Sequence, residues 1–336
     1  MTALRVGVIG VGSLGFHHAR ILSSRPDVMV AGIYDTDRAR RDEVAAQLNV
    51  TAAPALESLL KEVDAVVIAV PTSAHEEVAL AAIEAGVHVL IEKPIAPTLA
   101  AADRIVAAAD AAGVLVQIGH VERFNAALRA CEPYLEEPLF VECHRLAPFS
   151  ARGTDVAVVL DLMIHDLDLV LSLMKQPVRS LGAVGVPVLT TSVDIANARL
   201  EFEGGGVANL TASRVSMERM RKIRFFQRSG YISLDLAAGK GEYLRLKPGA
   251  AAQLAALSSG AAGSEPPPGG IHDLVERVAL EGDSGEPLVH ELNSFVAAVQ
   301  GTAAVPVTGH DGRRALAVAL EIVEQISGNV VAEHTA

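Results

Sequence analysis

The sequence predicts a two-domain α/β protein: a parallel sheet wrapped by helices, then a domain built on a largely antiparallel sheet. Three observations carry this. Apolar, β-branched runs alternate with helical stretches as far as Ile118, the pattern of parallel strands joined by crossover helices. Beyond it, strand-like runs follow one another across short glycine-rich turns. The length of 336 residues suits two domains of about 100–200 residues each. The boundary is expected near residue 120, giving domains over 1–120 and 121–330.

Val6-Gly7-Val8-Ile9 reads as the first strand, followed at once by Gly10-Val11-Gly12-Ser13-Leu14-Gly15 and a helix over Phe16–Ser23. A G-x-G-x-x-G between strand and helix suits a dinucleotide. Gly10 permits a tight turn, Gly12 lets backbone approach a pyrophosphate, and Gly15 lets helix pack on strand. Ser13 and Leu14 lie within this loop beside the cofactor, and the helix N-terminus that follows favours phosphate. The next strand, Val28–Tyr34, ends in Asp35, 20 residues after Gly15. A carboxylate there accepts hydrogen bonds from a ribose diol and repels a 2′-phosphate, which favours NAD over NADP. Arg38, Arg40 and Arg41 follow closely and could accommodate a phosphate.

Helices are expected over Arg38–Leu48, Ala55–Lys61, Ala74–Ala85 and Thr98–Ala112, with strands at Asp64–Val70, Val87–Ile91 and Val114–Ile118. Ligands of an open α/β sheet bind beyond the carboxyl ends of its strands. Pro71, Thr72 and His75 fall on that rim. So does Glu92-Lys93-Pro94, where an amine held by a proline turn points at whatever fills the crevice. His75 reads either as a cofactor cap or as an exposed helix-start histidine. Glu92-Lys93 alone reads equally as a solvated pair.

After Ile118 the pattern changes. A helix is expected over Ala126–Leu135, a strand over Leu139–Leu146, a polar loop over Ala151–Thr154 and a long helix over Asp155–Met174. Asp161 and His165 stand four apart on it, hence on one face. A carboxylate so placed can fix an imidazole tautomer, as a general base requires; a surface pair, a core histidine or two metal ligands are the other readings, and no third ligand of matching spacing supports a metal site. Strands are expected over Val178–Leu189, Val193–Glu203, Val207–Ser213, Lys222–Arg228, Tyr231–Leu236 and Tyr243–Lys247, then a mobile loop over Pro248–Gly270, then helices over Leu288–Gln300 and Gly309–Ser327. Arg214, Arg219, Arg221, Lys222 and Arg224 form a basic cluster that reads as a solvated strand entry or as an anion site.

The net charge of −12 argues against nucleic-acid binding. Cys131 and Cys143 are too few for a disulfide framework. No apolar run approaches a membrane span, and no signal-peptide layout opens the chain, so a cytoplasmic protein is expected.

The glycine fingerprint, Glu92-Lys93-Pro94, Gly119…Arg123-Phe124, Asp161…His165 and Glu291-Leu292…Phe295…Gly312-Arg313…Ala315-Leu316 together resemble the glucose–fructose oxidoreductase / inositol dehydrogenase (Gfo/Idh/MocA) family over nearly the whole chain. The resemblance implies an NAD-binding Rossmann domain and a C-terminal α/β domain with an open, mostly antiparallel sheet that serves in oligomerisation as a dimer or tetramer. It implies oxidation of sugars or polyols with NAD(P), a catalytic Lys93, a base at His165, an aspartate at Asp161, Glu92 beside the cofactor and a cis Pro94. Two positions depart from the pattern. Met163 stands where many members have glycine, and Val121 where many have asparagine, which leaves His120 as the candidate nicotinamide contact. The segments around Gly119 and Asp161 look most like the branch acting on UDP-N-acetylglucosamine and its uronic acid at C3, which implies a nucleotide-sugar substrate and a place in lipid A biosynthesis. An inositol or simple-sugar dehydrogenase and a catalytically silent NAD-binding regulator are the alternatives.

Overall fold

The structure, a computed structural model, describes residues 3–150, 156–259, 268, 270–283 and 285–333. It divides into two compact units, Met1–Phe124 with Gly285–Leu320 and Asn125–Ser284 with Glu321–Ala336.

The first unit opens with β1 (Leu4–Ile9), α1 (Ser13–Ser23), β2 (Val28–Tyr34), α2 (Arg38–Leu48), α3 (Leu56–Leu60), β3 (Ala65–Ile68), α4 (His75–Glu84), β4 (His88–Glu92), α5 (Leu99–Ala112) and β5 (Val116–Gly119). The strands pair in parallel in the order β2-β1-β3-β4-β5. A strand covered by helices on both faces must be apolar throughout rather than alternating, and all four residues of β3 are buried. Local chemistry sets the helix ends. Thr98 Oγ1 accepts from the Ala101 N–H at 3.2 Å at the start of α5, and Gly113 closes it in the left-handed region at φ 66°. Because the strands are parallel, Ile9, Tyr34, Ile68, Glu92 and Gly119 all end on one edge.

The second unit holds α6 (Ala126–Cys131), β6 (Phe140–Leu146), α7 (Ile164–Met174), β7 (Val178–Val186), β8 (Ile195–Phe202), β9 (Val207–Ser213), β10 (Met220–Gln227), β11 (Gly230–Asp235), β12 (Lys240–Leu246), α8 (Ala250–Ser258) and β13 (Val275–Glu281). The sheet order is β13-β12-β11-β10-β6-β9-β8-β7. Every neighbouring pair is antiparallel except β6–β9. Alternation aims one face at the core: Val141, Cys143 and Arg145 of β6 are buried on the side where α7 packs. The other face carries Phe140, Phe226 and Tyr231, with ring centroids 5.4 and 4.8 Å apart along the row.

Two local expectations change, and one strand appears where none was expected. The helix expected from Asp155 begins instead with a π turn over 159–163 and is regular only from Ile164; Asp155 and the Ala151–Thr154 loop lie outside the described residues. The Pro248–Gly270 loop contains α8, because alanine and leucine favour helix despite the low-complexity composition; residues 260–267 and 269 lie outside the described residues. The edge strand β13 had no sequence signal, since only Leu280 of its seven residues is buried.

The chain then returns to the first unit with α9 (Pro287–Val299) and the start of α10 (Gly309–Glu333). The sequence places both helices in the second domain. Packing decides otherwise, because Leu292, Phe295 and Val296 of α9 share one core with Val8, Leu22 and Leu90. Gly312 of α10 lies against β5, where an added Cβ would stand 2.6 Å from Ile118 Cγ1.

Candidate active site

The loop after β1 is shaped by what its glycines lack. Gly10 has φ 83°, and a Cβ there would meet the Ala69 carbonyl oxygen at 2.7 Å. At Gly15 a Cβ would stand 1.8 Å from the Gly10 oxygen. Gly12 differs: a Cβ would meet nothing within 4 Å. Its outer side is open, and Gly12, Ser13 and Leu14 are exposed. Among the described residues no side chain caps α1, so its first N–H groups are available to an anion. These features fit a pyrophosphate.

Asp35 sits beside this loop. Its Oδ2 accepts from the Val11 N–H at 2.8 Å and its Oδ1 from the Asp37 N–H at 2.9 Å. Arg40 Nε donates to the Val11 oxygen at 3.0 Å and its Nη1 to Glu43 at 2.7 Å. Arg41 reaches Asp42 at 2.8 Å and the Ala53 oxygen at 3.1 Å. Arg38 is exposed.

Pro71 and Thr72 follow β3 on the same edge. His75 is not the exposed helix-start residue that one reading allowed. It is 1% exposed, with Nδ1 2.9 Å from the Pro94 oxygen and Nε2 3.0 Å from the Val70 oxygen. Burial lowers its pKa. The ring therefore ties the segment after β3 to the turn after β4. In that turn the Lys93–Pro94 bond is cis, and Lys93 is half-buried. Glu92 points inward. Its Oε1 lies 2.7 Å from His18 Nε2, and its Oε2 accepts from the Lys93 N–H at 3.2 Å. Gly119 leaves room for it, since a Cβ there would stand 2.9 Å from Glu92 Oε2. His120 follows β5 and is buried, with its main-chain N–H on the Ile118 oxygen at 2.8 Å. The first unit thus gathers the glycine loop, Asp35, Pro71, Thr72, His75, Glu92, Lys93 and His120 on one edge.

In the second unit Asp161 lies in the π turn and His165 in the first turn of α7, both half-buried. Single π turns recur at functional sites. The next residue, Asp166, is buried and receives both Arg145 Nε at 2.9 Å and Arg145 Nη2 at 2.6 Å. Sequence reasoning missed this pair; the signal was two aspartates, Asp166 and Asp168, within an apolar helix that is buried nearly all round. The basic cluster is spread out. Arg214 is buried and bonded to the Val156 oxygen, whereas Arg224 pairs with Glu142 across the open sheet face at 3.1 Å. The two cysteines are buried, and burial pushes Cys131 up to about 12 and raises Cys143. Among the described residues no helix is long and apolar enough to cross a membrane.

Residues 4–120 match the oxidoreductase family with an NAD-binding Rossmann fold, and residues 116–233 match the GFO/IDH/MocA C-terminal domain. The UDP-N-acetylglucosamine 3-dehydrogenase of Acidithiobacillus ferrooxidans is 37% identical over 327 residues, 96% of this chain and 97% of that protein. A solved structure of the enzyme of that name from the same organism superposes with a TM-score of 0.86 at 35% identity, covering 98% of this chain and 99% of the other. An inositol 2-dehydrogenase of Saccharopolyspora erythraea is 35% identical over 176 residues, 49% of this chain and 52% of that protein.

Proposed function

Since the chain belongs to the GFO/IDH/MocA oxidoreductase family, we propose that it is an NAD-dependent dehydrogenase oxidising the C3 hydroxyl of UDP-N-acetylglucosamine, or of a close UDP-sugar, to a ketone. It is an oxidoreductase of sugar hydroxyls with an NAD-binding Rossmann domain. The choice of substrate is supported by a relative of that activity matching 96% of the chain, where the inositol enzyme matches 49%.

The observation that carries the chemistry is the position of Lys93, on the edge that also holds the glycine loop and Asp35. NAD, when bound, supplies the hydride acceptor. The N–H groups opening α1, at Gly12, Ser13 and Leu14, hold its pyrophosphate, and Asp35 holds a ribose diol. Pro71, Thr72 and His120 flank it, while His75 and Glu92 fix the Lys93 turn. His165 takes the proton of the substrate hydroxyl. Lys93 donates a hydrogen bond to that oxygen as charge builds on it and to the ketone afterwards. Asp161 orients His165. Proton transfer of this kind contributes about 10²–10⁴-fold.

The reaction belongs in the cytoplasm, in the nucleotide-sugar steps of lipid A biosynthesis. The chain works as a homo-oligomer, dimer or tetramer, through the open sheet face, where Phe226 stands 37% exposed in its aromatic row. Light scattering reads the oligomer. The deciding experiment is NADH formation from UDP-N-acetylglucosamine, free N-acetylglucosamine and myo-inositol. Turnover of the UDP-sugar alone is expected. Turnover of inositol with the UDP-sugar silent moves the enzyme to the inositol branch.

A further inference from the structure

Three ionisable side chains meet inside the first unit, beneath the lysine turn. His18 of α1, Glu92 of β4 and Glu291 of α9 each place a nitrogen or oxygen within 4.8 Å of the others. They are 0%, 7% and 0% exposed. Glu92 is well satisfied, by His18 on one oxygen and the Lys93 N–H on the other. Glu291 is not. Among the described residues neither of its carboxyl oxygens has a hydrogen-bond partner, although its main-chain oxygen accepts from Gln117 Nε2 at 3.3 Å.

A buried carboxylate with no donor beside it is untenable, because desolvation penalises the charged form. Here a second anion would also face Glu92. Burial first, and then the Glu92 charge, hold the Glu291 carboxyl well above the ordinary carboxylate range. The unsatisfied atoms are those of a group that needs a proton to donate.

We propose that Glu291 carries a proton which it shares with the Glu92–His18 pair, keeping one negative charge in the cluster and making Glu291 a positioning residue for Lys93. The chain of contacts is short. Glu92 receives the Lys93 N–H, so the side of Glu92 that faces inward sets where the lysine turn sits. With Glu291 neutral, Glu92 keeps both its bonds. With Glu291 ionised or removed, Glu92 turns and carries the Lys93 main chain with it. The inference rests on Lys93 being the donor to substrate. A divalent ion would compete with His18 for Glu92.

Infrared spectra of the whole protein at neutral pH, without substrate, test the proton directly. The C=O stretch of a protonated carboxylic acid is expected in the wild type and absent from Glu291→Gln. Glu291→Gln, which still donates an N–H, should keep kcat near wild type. Glu291→Met, of similar size but unable to donate, should lower kcat about tenfold to a hundredfold with NAD affinity and melting temperature kept. If Glu291→Met does not fold, the band and Glu291→Gln decide. A wild type without the acid band, Glu291→Met with normal kcat, or a stoichiometric metal that chelation removes would each overturn the proposal. The band is read without turnover, so a normal Lys93→Ala rate would remove the role of Lys93 and leave the shared proton standing.

Discussion

The Arg145 guanidinium grips the Asp166 carboxylate through two hydrogen bonds, Nη2 to Oδ1 at 2.6 Å and Nε to Oδ2 at 2.9 Å, with both side chains buried. The pair ties β6 to α7 one residue beyond His165. Removing one partner strands a buried charge, at about 3–5 kcal/mol. Arg145→Met should lower the urea midpoint accordingly, and Arg145→Met with Asp166→Leu should recover much of the loss. Equal stability of the single variant and the wild type would show that the pair holds nothing.

Two glycines of the same loop should fail differently. Gly15→Ala drives a Cβ to 1.8 Å from the Gly10 oxygen, so both melting temperature and NAD affinity should drop. Gly12→Ala meets nothing within 4 Å. It should fold with an unchanged melting temperature and lose NAD affinity, because the methyl fills the open space that the proposed pyrophosphate contact needs. Calorimetry of both variants, with and without NAD, separates the two effects.

Asp35 should set cofactor choice. Hydrogen bonds to a charged group are worth about 1.5–3 kcal/mol. Asp35→Ser should therefore weaken NAD by roughly tenfold to a hundredfold and raise the NADP share of kcat/KM. A cofactor ratio identical to wild type would move the ribose contact elsewhere.

Lys93→Ala and His165→Ala should each bind NAD normally and lose about 10²–10⁴ of kcat. Fluorescence titration with NADH and initial rates on UDP-N-acetylglucosamine measure the two quantities separately. Near-normal rates in both variants would refute the assigned roles.

Asp194 should contribute to stability in a defined acid window. Burial alone would raise its carboxyl. The N–H groups of Leu189 and Thr190, the Thr190 hydroxyl and the Val188 N–H outweigh that and pull it down to about 2. A depressed folded pKa gives stability that is complete above the ordinary aspartate range, about 4, and is lost as pH falls toward about 2. The stability gap between wild type and Asp194→Asn should shrink across that window. A gap constant from pH ~5 to pH ~2 would contradict it.

Much of the fold was legible where local pattern is enough. Val28–Tyr34 and Val207–Ser213 form strands with the expected bounds, and Asp35 lies at the glycine loop as the spacing implied. Local pattern failed where the partner was distant. The seven residues of β13 become a strand only through pairing with β12. The ends of α9 were legible, but its place was not, because an apolar stripe does not say which core will take it.

The sequence by itself determined the strand–helix alternation, the glycine loop with its acid, and the lysine at the end of β4. Each rests on steric or periodic rules acting within a few residues. Only the tertiary structure decided that His75 turns inward, that Glu92 faces His18 from 74 residues away, and that Glu291 lies beneath them both. A buried polar group must find its partner wherever the fold brings one, and that requirement leaves no mark on the residues beside it.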